Sequence, residues 1–109
     1  MASVSFGLAV VTGRSMEPTL YDGDRLLVRY GARPRTGRLA VLRLPDRPVA
    51  VKRLASRHDG GWWVERDNPA TGVDSWQVGA IADENVLGCV VARVWPLRRR
   101  RSHPRPDTR

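Results

Sequence analysis

Two residues in this chain are of types that could carry out acyl transfer together. One is Ser15, in the stretch GRSMEPTL; the other is Lys52, in VAVKR. A serine hydroxyl is a weak nucleophile until a base takes its proton. Arginine stays protonated at any ordinary pH, whereas a lysine removed from water can give its proton up. Of nineteen basic residues all but Lys52 are arginine. A general base drawn from them is therefore Lys52, with chance in an arginine-biased composition as the competing explanation. The histidines are His58, beside Asp59 in the turn SRHDGG, and His103 near the C-terminus. Neither has an orienting acid in a rigid setting, so a Ser-Lys dyad fits better than a Ser-His-Asp triad.

The dyad needs a fixed loop for the serine and a rigid, dry element for the lysine. Gly13 and Arg14 precede Ser15, and Pro18 restricts the backbone after it. The segment PVAVKRLAS, residues 48–56, reads as a strand. Its alternation puts Ala50, Lys52, Leu54 and Ser56 on one face and Val49, Val51, Arg53 and Ala55 on the other. An amine between Ala50 and Leu54 is desolvated, which lowers its pKa. The alternative is snorkelling, with the stem covering apolar surface and the ammonium in water.

Further strands are expected at 7–12, 25–30, 38–44, 61–67 and 84–95, where β-branched and aromatic residues dominate. YDGD, LPDRP, HDGG and DNPATG are the turns between them. GAIADENV, residues 79–86, holds the one expected helical turn. The fold class is all-β: a small, mainly antiparallel domain with at most a short helical turn.

The formal charge of +8 is concentrated at the C-terminus. RRRRSHPRPDTR, residues 98–109, carries six arginines and one aspartate, hence +5, and leaves +3 for residues 1–97. The expected organisation is a folded domain over 1–97 and a basic, disordered tail over 98–109. No apolar run approaches the roughly 18 residues of a membrane span. SVSFGLAVV is a poor signal peptide, so a cytoplasmic location is expected. Cys89 is the only cysteine, and its apolar neighbours in VLGCVVARV place it in the core. No cluster with metal-ligand spacing is present, and no cofactor is expected.

SMEPTL (15–20), GDRLLV (23–28), VAVKR (49–53) and RDNPATGVDS (66–75) stand in the order found in type I signal peptidases and their relatives. The chain resembles the signal peptidase I/LexA-like serine peptidases over roughly residues 8–95. The resemblance implies Ser15 as nucleophile and Lys52 as general base. It also implies Met16 packed beneath the site and the Ser15 N–H in the oxyanion hole. Gly13 stands where some relatives place an oxyanion-binding serine, leaving only backbone to help there. Thr71, Asp74 and Ser75 are implied as supporting residues.

Three positions depart from the relatives' pattern. Arg66 replaces the usual glycine before Asp67 and Asn68. A serine that orients the lysine is expected where this chain has Gly72, with Thr71 or water as substitutes. Trp76 replaces the arginine that usually follows Asp-Ser, so Asp74 loses its expected ion-pair partner unless another arginine reaches it.

Within that group VTGRSMEPTLYDGDRLLVRYGARPRTGRLAVLRLP (11–45), VAVKR (49–53), GGWWV (60–64) and VLGCVVARVWPLR (86–98) most closely resemble the nickel-type superoxide dismutase maturation proteases, a small soluble branch. The implied partner is a precursor protein, the nickel superoxide dismutase proenzyme, whose N-terminal leader is removed. One alternative is signal peptidase-like processing of other precursors. Another, of a different class, is a non-catalytic basic module that binds nucleic acid through its tail and tryptophans. It leaves Ser15 and Lys52 unexplained, and no specific nucleic acid is expected as a partner.

Overall fold

The turn residues divide the chain into strands that pair mostly with their neighbours in sequence. The computed structural model describes residues 5–45 and 49–96. The expected tail, 98–109, lies outside the described residues. Seven strands form one sheet: β1 (Ser5–Val10), β2 (Arg25–Tyr30), β3 (Leu39–Leu42), β4 (Ala50–His58), β5 (Gly61–Glu65), β6 (Ile81–Ala82) and β7 (Val86–Trp95). Their order is β1-β2-β7-β3-β4-β5-β6, and every pairing is antiparallel. β7 is inserted between β2 and β3, so the last strand closes the middle of the sheet. The all-β expectation holds.

Boundaries differ where the chain finds partners other than a ladder. β1 ends at Val10 rather than at Thr12. Val11 instead exchanges hydrogen bonds with the YDGD turn, donating to Asp24 O and accepting from Gly23 N, both at 2.8 Å. β5 ends at Glu65 because the Arg66 N–H turns to the Asp74 carboxylate at 3.0 Å. The one-turn helix α1 (Ser75–Val78) was not expected. Asp74 caps it, and Gln77 Oε1 accepts from the Asp74 N–H at 2.9 Å, completing a capping box. The helical turn expected over 79–86 is a 3₁₀ turn at Asp83–Asn85.

The sheet buries both faces. Ala40, Leu42, Leu54, Trp62, Val64 and Ile81 lie in one core cluster. Val11, Met16, Leu20, Leu26, Val28 and Val41 form the other. Ala40 and Val41 are consecutive in β3, so their side chains go to opposite faces and each joins a different cluster. Irregularities in register within β2, β3 and β4 bend the sheet around these cores. Trp62 is buried and Trp63 half-buried, as alternation in β5 requires.

Candidate active site

Lys52 is paired with Ala40 across β3 and shares its face with Leu54. Its side chain is 3 % exposed, as the apolar strand face predicts and snorkelling does not. Ser15 sits in the turn between β1 and β2. Its neighbour Met16 is 2 % exposed and enters the second core, which contributes about 2 kcal/mol of burial. With Met16 anchored below, the Ser15 side chain points the other way, and Lys52 Nζ donates to Ser15 Oγ at 2.8 Å. Both residues line a cleft of about 370 Å³.

Two strands border this cleft. β1 is the last strand of the sheet on its side, and Ala9–Val11 line the cleft. β5 pairs with β4 from Arg53 onward, and Ala50–Lys52, just before that stretch, line the same space.

The loop after β5 fastens the Ser15 turn from above. The Asn68 N–H donates to Ser15 O at 2.7 Å, and Asn68 Nδ2 donates to Arg14 O at 2.9 Å. The Asp67 N–H donates to Met16 Sδ at 3.4 Å. Gly72 lies directly on the serine: a Cβ built on it would stand 2.4 Å from Ser15 Cβ. Asp67 is held in turn by Arg53, through Nε at 2.9 Å and Nη2 at 2.6 Å.

Arg53, followed by the Thr19 hydroxyl, holds the Asp67 carboxyl below the ordinary carboxylate range, against an opposing effect of burial. A carboxyl depressed in the folded state adds stability above its unfolded value of about 3.9. That stability is lost as pH falls through the lower folded value. Asp67→Asn is therefore expected to lower stability by about 1 kcal/mol at pH 7, a modest figure because solvent reaches Arg53. Thermal melts at pH 7 and below pH 4 check this: the gap between wild type and variant should close in acid.

The other expected site residues are placed as follows. Thr71 is exposed on the cleft rim. Asp74 and Ser75 are buried and serve the loop's far end. Asp74 caps α1, and Ser75 Oγ accepts from the Val64 N–H at 2.8 Å. Asp74 keeps an ion-pair partner: Arg66 approaches its Oδ1 at 3.8 Å. Gly13 lines the cleft with φ +84°, but its N–H donates to Asp22 Oδ1 at 2.7 Å. That donor is therefore already used within the turn. Cys89 is half-buried rather than in the core, and its thiol donates to Arg33 O at 3.7 Å. Burial pushes the thiol up, while Arg38, Arg29 and Arg35 oppose the shift. His58 is exposed and hydrogen-bonded to Ser56 at 2.9 Å.

Arg66, Asn68, Arg53 and Asp67 support this arrangement and were not singled out as site residues from sequence. The available signal was the Arg-Asp-Asn run itself, which opens the loop.

The family model described as Peptidase S24-like matches residues 3–91, which include every residue of this arrangement. The chain belongs to the S24-like peptidase family. No curated protein matches it. Membership gives this domain a peptidase-family function with a protein as substrate. Among the described residues, no helix is long and apolar enough to cross a membrane, and no group of three or more His, Cys, Asp or Glu could hold a metal ion.

Proposed function

We propose that the chain is a serine endopeptidase working through a Ser15–Lys52 dyad. Its proposed substrate is the leader-bearing precursor of a nickel superoxide dismutase. The observation that carries the dyad is the 2.8 Å approach of Lys52 Nζ to Ser15 Oγ in an open cleft. The choice of substrate rests on the resemblance of the whole 8–95 segment to the maturation proteases.

Burial of Lys52 disfavours its ammonium form. In the reacting state the neutral amine takes the Ser15 proton as Oγ attacks the scissile carbonyl carbon. The Ser15 N–H, which has no protein acceptor among the described residues, faces the resulting oxyanion. Lys52 then hands the proton to the leaving amine as the C–N bond breaks, takes one from the water that attacks the acyl-enzyme carbonyl, and returns it to Ser15 Oγ as the ester C–O bond breaks. The substrate lies extended in the cleft, pairing its main chain with the edge strand β1.

Ser15→Ala is expected to cut processing about 10³-fold or more at an unchanged melting temperature. Mass spectrometry of the new N-terminus, on the nickel superoxide dismutase precursor and on a secretory precursor in parallel, makes the measurement. Cleavage of the secretory precursor alone rejects the substrate. Cleavage by Ser15→Ala at the wild-type rate rejects the nucleophile.

A further inference from the structure

The loop that fastens Ser15 is itself held from behind by one side chain. Arg66 Nη1 donates to Gly72 O at 3.0 Å and to Gln77 Oε1 at 3.2 Å, while Nη2 donates to Pro69 O at 3.2 Å. The same guanidinium lies 3.8 Å from Asp74 Oδ1. It thereby ties the start of the loop, its middle and the cap of α1 to one another. Its Nε is buried without a partner. A buried unpaired donor is costly, so this placement is dictated by the acceptors that the Nη atoms reach.

The middle tie matters most, because Gly72 is the residue against Ser15. Space there is so tight that an added Cβ would stand 2.4 Å from Ser15 Cβ and 3.4 Å from Oγ. A shift of Gly72 away from the serine would free the Ser15 side chain to leave Lys52. Arg66 does not line the cleft; it acts through Gly72.

We propose that Arg66 is a positioning residue: by holding Gly72 against Ser15 it fixes the Ser15–Lys52 hydrogen bond. The proposal rests on the dyad reading above. Arginine suits the task because a planar fork with donors on both arms spans carbonyls lying in different directions, which a lysine ammonium does less well. Arg66 thus supplies, from the start of the loop, the partner that Asp74 lacks at Trp76.

The chain offers a direct reporter. Lys52 is its only lysine, so lysine isotope-labelled at Cε gives a single side-chain NMR resonance whose pH titration follows that amine. Ser15→Ala calibrates the shift in midpoint caused by losing the hydroxyl. Arg66→Gln is expected to move the midpoint in the same direction and by a comparable amount, and Arg66→Lys to recover part of it. On the nickel superoxide dismutase precursor, Arg66→Gln is expected to lower kcat about tenfold to hundredfold with KM little changed, as for a reacting group displaced by about 1 Å. A merely structural role would lower the melting temperature while leaving the Lys52 midpoint and the kcat of folded protein at wild type, and that result overturns the proposal. If Ser15→Ala moves the midpoint and Arg66→Gln does not, Arg66 alone is rejected. If Ser15→Ala moves neither midpoint nor cleavage, the dyad is rejected and this proposal with it.

Discussion

Lys52→Arg is expected to abolish cleavage while leaving a folded protein. The variant keeps a long cationic side chain at the same place on β4, so it tests the proton rather than the charge. Guanidinium does not deprotonate in proteins, and no base then stands beside Ser15. A positioned general base contributes about 10² to 10⁴-fold, and a loss of that order is the expected result. Lys52 is 3 % exposed, and the bulkier head must be fitted into that slot at a cost of about 1–3 kcal/mol. Lys52→Met separates this strain from the chemistry. It fills the slot with an unbranched apolar chain and leaves Ser15, which is only half-buried, able to turn to water. Precursor cleavage and thermal melts on both variants give the answer: both inactive and both folded. Wild-type turnover by either one removes Lys52 from the mechanism.

Legibility of the fold and of the site followed the range of the interactions involved. Strand alternation is local, with a period of two, and it placed Lys52 and Leu54 on the buried face of β4. The YDGD turn was equally local, since the Asp24 N–H donates to Tyr21 O and the Asp24 carboxylate accepts from the Tyr21 N–H, both at 2.9 Å. α1 carried a readable signature, the Asp74-x-x-Gln77 spacing of a capping box, but its one turn is too short to show helical periodicity. What sequence could not give were contacts made by the fold. Arg66 reaches Asp74 only because the loop doubles back after β5. Gly13 spends its N–H on Asp22 because the turn before β2 closes on the turn after β1. Cys89 has apolar neighbours in sequence, yet it faces the arginines around the β2–β3 connection. Ser15 and Lys52 could be named from residue type and motif, but their 2.8 Å approach depends on Met16 anchoring the turn and on the 67–72 loop covering it.

That covering loop makes Gly72 the second position where a small change should have a large effect. The relatives' pattern places a lysine-orienting serine there, so Gly72→Ser would look like a restoration. The structure argues the opposite. Gly72 has φ +95°, a left-handed conformation that costs any L side chain about 1–2 kcal/mol. Its added Cβ would fall 2.4 Å from Ser15 Cβ, and the obstacle is a short, rigid side chain rather than the far end of a flexible one. Either Ser15 or the loop must move. The loop is fixed by Arg66 at Gly72 O and by Asn68 at Ser15 O, so the displacement falls on the Ser15 side chain. A shift of about 1 Å in a reacting group costs about 10²-fold. Gly72→Ala and Gly72→Ser are both expected to lose at least that much kcat on the precursor. Their melting temperatures should fall alike, by the several degrees that about 1–2 kcal/mol of left-handed strain implies in a small domain, with no added core loss because Gly72 is exposed and belongs to neither core. Equal loss in the alanine and serine variants would locate the effect in Cβ, the atom they share. If the serine variant alone were active, its hydroxyl would be orienting Lys52, and the close contact between Gly72 and Ser15 would not be what positions the nucleophile.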